Sequence, residues 1–423
     1  MQSQTAVSAQ QAQQTNSGAM ALITSLFFMW GFLTSLNDIL VPHLKAIFDL
    51  NYAQVMLVQF AFFSAYFLFG VPAGRLIDAL GYQRAMVAGL LTMAGGALIF
   101  PIAGSAVSYS LFLLALVVLA GGITILQVSA NPYVAVIGPE RTASSRLTLT
   151  QAFNSLGTTV APWFGGMLIL STELKTPEQL RSLGPGALQA YRAEQASTVR
   201  FPYILIAAVL VIIAIVITRA SLPRISDEHM DQGGKIDWAK HLNLILGAIG
   251  IFVYVGAEVA IGSFLVNYLS QRDIGGLTQK DAALHVSYYW GGAMVGRFLG
   301  AWILRQVRTG IVLGFCAAMT TLLVITSMLS SGPVAMWSIL AVGLFNSIMF
   351  PSIFTLGIEG LGPLTGRGSG IMIAAIVGGA IIPVLQGVLA DSIGIQHAFI
   401  LPVICYCYIA YYGMRQARLV TAG

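Results

Sequence analysis

The sequence predicts an all-α polytopic membrane protein with twelve transmembrane helices arranged as two six-helix bundles. Hydrophobic residues make up 57% of the 423 residues and charged residues only 9%, whereas a soluble domain carries roughly 25% charged residues. Twelve apolar stretches reach the length of about 20 residues that a helix needs to cross the hydrocarbon of a bilayer. These stretches are long and lack period-two alternation, which favours helices over barrel strands.

The predicted spans divide the chain into four parts. A Gln-, Ser- and Ala-rich tail at 1–19, without the basic start of a signal peptide, is expected to be disordered. Two bundles at 20–222 and 241–418 are joined by a polar linker at 223–240. The spans begin near residues 21, 55, 84, 109, 145, 200, 242, 281, 309, 334, 366 and 397.

Charge predicts topology rather than a partner. The formal net charge is +5, but the 21 Lys and Arg residues form no basic cluster, so a nucleic-acid partner is not expected. Most of them fall in alternate loops, and the positive-inside rule then places both termini in the cytoplasm. The cysteines Cys316, Cys405 and Cys407 lie inside apolar spans without metal or disulfide spacing and are expected to be packing residues.

Landmarks recur at an offset of about 220 residues. The pairs are Asp38 with Glu258, Gly74-Arg75 with Gly296-Arg297, Pro132 with Pro351, Glu140 with Glu359, and Pro162 with Pro383. Five pairs in sequence order indicate a duplicated bundle, the parallel repeat found in many transporters.

The segment Gly74–Arg84 reads GRLIDALGYQR and follows the second span. It resembles the cytoplasmic loop signature of the major facilitator superfamily, with Arg75 at a position that varies. We expect Asp78, Arg75 and Arg84 to form charge pairs that hold the cytoplasmic helix ends in one state. The alternative is that these charges only fix topology.

Three further stretches carry a closer resemblance: Trp30–Asp38, Ala130–Tyr133 and Tyr254–Tyr268. They are similar to the fucose-galactose-glucose symporter family, especially its bacterial glucose/galactose transporters. The resemblance implies a secondary carrier that imports a hexose of the glucose, galactose or mannose type by cation symport and alternating access. It also implies a bacterial inner-membrane protein, functional as a monomer, that needs no cofactor besides Na⁺ or H⁺.

Asp38 is the predicted coupling residue, because a carboxylate in the membrane is costly and usually functional. Asn37 adjoins it, and Thr34 lies one turn earlier on the same helical face. Together with Gln127 and Thr150, these oxygens could bind Na⁺, while a desolvated Asp38 could equally carry a proton. The third possibility is that Asp38 has only a structural role and accepts hydrogen bonds from other groups within the bundle.

The resemblance also bears on the coupling ion. In the family's L-fucose/proton symporter, the first-span Asp acts with a Glu in the fourth span, just before an Asn-Pro. Here the corresponding stretch carries Gln127 before Asn131-Pro132, and an amide cannot take up a proton. Sodium coupling is therefore favoured, with proton-coupled transport of L-fucose or another sugar as the alternative.

Amides, a carboxylate and aromatic rings are the predicted sugar ligands. Amides both donate and accept hydrogen bonds, a carboxylate can accept from two hydroxyls, and rings pack on the apolar face of a pyranose. The alternative is hydrogen bonding between helices without substrate. The predicted residues are Gln127, Asn131, Gln151, Asn154, Glu258, Asn267, Tyr289, Trp290 and Asn346.

Two acid–base pairs at the cytoplasmic ends of the fourth and tenth spans, Glu140 with Arg141 and Glu359 with Arg367, are expected to be inward-gate ion pairs or solvated charge. Other classes of function are disfavoured. The five His residues form no local metal motif, and no nucleophile elbow or phosphate loop is present, which argues against an enzyme. No charged ring or filter sequence supports a channel.

Overall fold

The computed structural model describes residues 17–48, 52–106, 108–168, 182–184, 186–188, 190–191, 200–223, 236–238 and 240–419. Side chains are described in these ranges except at 36–48, 52–59, 162–168, 279 and 419. The predicted tail at 1–19 and linker at 223–240 lie mostly outside the described residues.

The described chain contains fourteen α-helices and no β-strand. Their bounds are α1 Ser17–Phe48, α2 Tyr52–Ser105, α3 Tyr109–Val136, α4 Ala143–Leu168, α5 Arg200–Arg219, α6 Leu242–Leu269, α7 Gln279–Ile303, α8 Thr309–Leu329, α9 Gly332–Asn346, α10 Met349–Ile358, α11 Thr365–Ala374, α12 Gly378–Ile393, α13 Ile395–Ala398 and α14 Ile400–Leu419. Short 3-10 turns occur at Glu140–Thr142, Gly362–Leu364 and Ala375–Val377.

Nine helical stretches in the described ranges are long and apolar enough to cross a membrane. One of them, Phe60–Ser105, bends at Gly81 and covers two predicted spans. The more polar helices α4 and α7 coincide with the spans predicted to begin near 145 and 281. The nine stretches thus account for ten predicted spans, because Phe60–Ser105 covers two, and α4 and α7 account for the other two. The predicted all-α membrane fold is confirmed.

The segment Gly74–Arg84 forms a kink rather than a separate loop. It lies inside the continuous helix α2, and the chain turns at Gly81, whose φ is +75° and ψ is 166°. Only glycine adopts a positive φ without steric cost. One glycine therefore takes the place of the predicted connection between the second and third spans.

The predicted tenth span is broken into α9 and α10. Pro351 has no N–H, so the carbonyl of Ser347 loses the donor that a continuous helix would supply. Arg297 on α7 compensates, because its Nε donates to this carbonyl at 3.3 Å. The predicted eleventh span is likewise interrupted, by the 3-10 turn Ala375–Val377 between α11 and α12. The lengths of the apolar runs predicted both spans but not these interruptions.

The chain divides into two compact units. Unit A comprises Ala21–Ala130 and Phe153–Leu222, and unit B comprises Asn131–Ala152 and Pro223–Gly423 together with Met1–Met20. Unit B therefore contains the end of α3 and the start of α4, which come from the first half of the sequence. The predicted boundaries at 20–222 and 241–418 remain predictions.

Small residues set the helix spacing inside each unit. In unit A, a Cβ at Gly122 on α3 would lie 2.5 Å from the backbone nitrogen of Met93 on α2. In unit B, a Cβ at Gly310 on α8 would lie 2.7 Å from the backbone nitrogen of Ala417 on α14. Such contacts allow backbones to approach closely, which is how membrane helices commonly associate.

Candidate functional site

Gln127 on α3 is the centre of a buried polar pair in unit A. Its side chain is 1% exposed, and its Nε2 donates to the hydroxyl of Tyr66 on α2 at 3.0 Å. Its Oε1 is buried and has no hydrogen-bond partner among the described residues. Leaving a buried acceptor unpaired costs about 1–3 kcal/mol. Gln127 thus holds an unused acceptor in a fixed orientation.

Asn346 at the end of α9 is the corresponding residue in unit B. It is fully buried, and its Nδ2 donates to the hydroxyl of Tyr289 on α7 at 2.8 Å. Its Oδ1 has no partner in the described part of the chain. Gln127 and Asn346 each lie five residues before a helix proline, Pro132 and Pro351. We call Gln127–Tyr66 and Asn346–Tyr289 the amide–tyrosine pairs.

The repeat relates both members of these pairs. Gln127 and Asn346 are 219 residues apart and Tyr66 and Tyr289 are 223 apart, close to the offset of the other repeated landmarks. Gln127, Asn346 and Tyr289 are among the residues predicted from the sequence, whereas Tyr66 is not. The offsets of the other landmarks, 219 to 222 residues, lead from Tyr289 to positions 67–70 and therefore miss Tyr66.

The second pair continues to a carboxylate. The hydroxyl of Tyr254 on α6 lies 2.7 Å from Oε1 of Glu258, one turn along the same helix, and 3.1 Å from the backbone oxygen of Asn346. Arg297 lies close enough to interact electrostatically with Glu258. Glu258 is half-buried, and among the described residues only its Oε1 has a hydrogen-bond partner. A carboxylate with a free oxygen can accept hydrogen bonds from a polar ligand.

Helix α4 carries the predicted polar face, and its members make different contacts. In unit A, Asn154 Nδ2 donates to the backbone oxygen of Phe27 on α1 at 2.9 Å. A Cβ at Gly31 would clash with the backbone oxygen of Asn154, so α1 and α4 are in close contact. In unit B, Thr150 donates to Leu147 O at 2.8 Å within its own helix, and Gln151 is buried.

The remaining predicted substrate residues differ in exposure and in contacts. Asn131 is fully buried, and neither of its side-chain polar atoms has a partner among the described residues. Trp290 is 45% exposed and contacts the ring of Tyr289 edge-on at 5.0 Å. Asn267, more than two turns beyond Glu258 on α6, is exposed.

The predicted coupling residues Asn37 and Asp38 lie in α1, but their side chains are outside the described residues. Thr34, the neighbour one turn earlier, is half-buried and donates to the backbone oxygen of Trp30 at 3.0 Å. The coupling role of Asp38 therefore stays a prediction.

Among the predicted gating residues in unit A, Arg75 and Arg84 are exposed and Asp78 is half-buried, on either side of the kink at Gly81. Gln83, in the same segment, donates to the carbonyls of Ile217 and Ala220 at 2.7 and 2.9 Å. It thereby provides hydrogen-bond donors for carbonyl groups at the C-terminal end of α5, which lack partners within the helix. The sequence signature did not reveal this role.

In unit B, Glu140, Arg141 and Glu359 are exposed and Arg367 is half-buried. Neither glutamate forms an ion pair with a described residue. Surrounding protein and, to a lesser degree, the carboxylate of Glu140 raise the pKa of Glu359 above its ordinary value, although its side chain reaches the surface. These carboxylates repel each other in this structure. The gating role of Glu140, Arg141, Glu359 and Arg367 stays a prediction.

Residues 22–376 match the model of the Major Facilitator Superfamily, most of the chain. The chain belongs to this superfamily. It is 52% identical over 406 residues to the glucose/galactose transporter of Brucella abortus, covering 95% of both chains. It is 41% identical to a putative glucose/galactose transporter of Helicobacter pylori, covering 95% of this chain and 97% of the relative.

An L-fucose-proton symporter of Escherichia coli is 34% identical over 410 residues, 95% of this chain and 93% of that protein. A crystal structure of the superfamily transporter FucP in the outward conformation superposes with a TM-score of 0.88 at 32% identity, covering 94% of this chain and 98% of that one. These relatives confirm the predicted family. The chain is a sugar transporter of the major facilitator type and not an enzyme.

Proposed function

We propose that this carrier imports a hexose of the glucose, galactose or mannose type by cation symport and alternating access, with Na⁺ as the coupling ion. The observation that carries the sugar assignment is the recurrence of the amide–tyrosine pair. Each pair fixes an amide through its nitrogen and leaves the amide oxygen buried and unpaired among the described residues. A sugar hydroxyl can donate the hydrogen bond that each of these oxygens lacks.

Glu258 extends this recognition in the second half. Tyr254 donates to one of its oxygens, and the half-buried carboxylate keeps capacity for sugar hydroxyls. Gln127 and Asn346 are buried in this structure, so sugar would reach them when the surrounding helices open. A carrier that works by alternating access opens in this way during its cycle.

Sodium coupling is proposed at Asp38, with Asn37, Thr34, Gln127 and Thr150 as neighbouring oxygen ligands. The supporting observation is Gln127, a group that cannot titrate, at the fourth-span position that would otherwise complete a two-carboxylate proton relay. Hard oxygen ligands suit Na⁺. The second candidate is proton-coupled transport of L-fucose or another sugar, favoured by the similarity to an L-fucose-proton symporter.

The proposed location is the inner membrane of a bacterium, with both termini in the cytoplasm. The relatives named above are bacterial proteins, and the distribution of Lys and Arg follows the positive-inside rule. Because one chain contains both repeated halves, we propose that it works as a monomer without a further cofactor.

The test is uptake of radiolabelled hexoses by proteoliposomes under an inward Na⁺ gradient or an inward H⁺ gradient, imposed separately. Wild type is compared with Asp38→Asn. The matched control is Asp391→Asn, because Asp391 is an exposed carboxylate on α12. We expect the Na⁺ gradient alone to drive accumulation, Asp38→Asn to abolish accumulation while keeping sugar exchange, and the control to behave as wild type.

Accumulation driven by H⁺ in sodium-free buffer would overturn sodium coupling and leave the sugar assignment intact. If no hexose is taken up under either gradient while L-fucose is, the hexose assignment would be wrong.

A further inference from the structure

The first turn of α4 carries two adjacent buried serines that bond to three helices of the second half, all within unit B. Ser145 Oγ donates to the backbone oxygen of Ala301 on α7 at 2.5 Å. Ser144 Oγ lies 2.5 Å from Thr355 Oγ1 on α10 and 3.0 Å from Thr309 Oγ1, at the start of α8. A segment from the first half of the sequence is thus bonded to α7, α8 and α10 through hydroxyl groups.

The hydrogen bonds in this group have a defined direction. Thr355 Oγ1 lies 2.9 Å from the backbone oxygen of Pro351 and 3.2 Å from that of Ser352, so its single proton is used within α10. Ser144 must then donate to Thr355, and Thr309 donates to Ser144. In this arrangement the hydroxyl of Ser144 accepts one hydrogen bond and donates another. We call Ser144, Ser145, Thr309 and Thr355 the hydroxyl latch.

Gly300 on α7 lies near both the break between α9 and α10 and the start of α4. A Cβ there would clash with Ile348, so the absence of a side chain lets α7 approach the residues between α9 and α10. The same Cβ would lie 3.7 Å from Thr148 Cγ2, one turn beyond Ser144, which is an ordinary van der Waals distance. Between α7 and α4 the specific contact is the hydrogen bond from Ser145 to Ala301.

Arg146, the next residue on α4, makes this turn rigid. Its guanidinium is buried and donates to the carbonyls of Val134, Ala135, Gly138 and Pro139 and to the hydroxyl of Thr142. These acceptors include the last carbonyls of α3, which a cation at a helix C-terminus stabilises. The end of α3, the connection and the start of α4 consequently behave as one block that docks on the second half.

Charge does not hold this block in place. Glu140 lies in the connection and Glu359 directly after α10, and the two carboxylates repel each other. Neither forms an ion pair with a described residue. The closing contacts that the structure does show are the neutral hydroxyl bonds.

We propose that the hydroxyl latch sets the fraction of carrier molecules in which this end of the transporter is closed, and that Ser144 and Thr355 are positioning residues whose bond breaks once in each transport cycle. A transporter of this superfamily must separate first-half from second-half segments to open one side. Neutral hydroxyl bonds suit a contact that breaks repeatedly, because water replaces each lost bond and the net cost of losing one is only about 0.5–1.5 kcal/mol. This inference rests on sugar transport and not on the identity of the coupling ion.

The test measures how often the junction opens. A single cysteine replaces Ala143, which is 8% exposed beside Ser144, in a background where Cys316, Cys405 and Cys407 are replaced by alanine. The purified protein in nanodiscs is labelled with N-ethylmaleimide with and without Ser144→Ala, Thr355→Val, Thr355→Ser or Thr309→Val. The control is Ser338→Ala, whose exposed hydroxyl bonds only within α9.

Ser144→Ala and Thr355→Val are expected to raise the labelling rate roughly 3- to 10-fold, the shift expected from losing one hydrogen bond. Thr309→Val should raise it less, because Ser144 can still donate to Thr355. Thr355→Ser and Ser338→Ala should label as wild type. The purified variants are also compared by thermal unfolding, and Thr309→Val provides the milder variant if Ser144→Ala fails to fold.

Equal labelling of wild type and Ser144→Ala would overturn the proposal. So would a Thr355→Ser variant that labels as fast as Thr355→Val, since that result would assign the effect to packing. Loss of all hexose transport in the wild type would leave these labelling outcomes unchanged, which separates a failure of this proposal from a failure of the proposed function.

Discussion

The two amide–tyrosine pairs share a design and differ in charge. In both, an amide five residues before a helix proline donates to a tyrosine hydroxyl. The oxygen of each amide is buried and has no hydrogen-bond partner among the described residues. In the second half, Tyr254 links the backbone of Asn346 to the carboxylate of Glu258, and Arg297 lies nearby. Both halves thus contain a neutral amide–tyrosine contact, and in the second half this contact is linked to an ionisable group.

Replacing Glu258 should have the largest effect. Glu258→Ala removes the acceptor of the Tyr254 hydroxyl and the proposed ligand of the sugar, so we expect initial hexose uptake to fall roughly 10- to 100-fold. Glu258→Gln keeps one acceptor oxygen and should lose less. Asp391→Asn again serves as the control. Wild-type uptake by Glu258→Ala would remove this carboxylate from sugar recognition.

Phenylalanine substitutions at the paired tyrosines should have intermediate effects. Tyr289→Phe and Tyr66→Phe each remove the hydroxyl that orients an amide, and we expect the sugar Kd to rise about 3- to 10-fold. Tyr289→Phe should have the stronger effect, because its pair adjoins the proposed sugar ligand Glu258: the Tyr254 hydroxyl donates to the backbone oxygen of Asn346 and to Glu258. Isothermal titration with a hexose measures both, with Tyr411→Phe, an exposed tyrosine on α14, as the control. Equal affinities in all four proteins would mean that the pairs only join helices.

The smallest effect concerns Glu359, which lies outside both pairs. Because its pKa is raised in the folded state, the folded protein binds more protons here than the unfolded chain, and stability falls as pH rises through the ordinary carboxyl range to the raised pKa. Glu359→Gln should therefore raise the unfolding temperature at pH 7 by about 1 °C, since exposed charges contribute little.

Scanning fluorimetry at pH 4 and pH 7 checks this difference. The difference between Glu359→Gln and wild type should shrink at pH 4, because a carboxyl whose pKa is raised carries less charge there than at pH 7. A larger stabilisation at pH 4 than at pH 7 would contradict the sign.

The sequence predicted the elements that rest on composition and repetition. Spans follow from the length of apolar runs, and Glu258 and Asn346 from their repeat partners, so both were accessible without coordinates. Tyr66 was missed because tyrosines are common in membrane spans. Only the hydrogen bond that it accepts from Gln127 on α3 distinguishes it from the others.

Contacts between distant segments could not be predicted. Arg146 reads as a cytoplasmic charge in the sequence, yet it is buried against the end of α3. Ser144 and Thr355 are separated by 211 positions, and single hydroxyls in a membrane helix carry no pattern that identifies their partners. The break before α10 follows from Pro351, but the compensation by Arg297 depends on how α7 packs.

The most direct test of sugar recognition by the repeated pairs is equilibrium binding of glucose and galactose to purified wild type, Gln127→Leu and Asn346→Leu. Leucine has a similar size and removes both polar atoms, so packing is largely kept. We predict that each substitution weakens binding at least 10-fold while the unfolding temperature stays within a few degrees of wild type. Wild-type affinity in both variants would contradict the claim that the two pairs recognise the sugar.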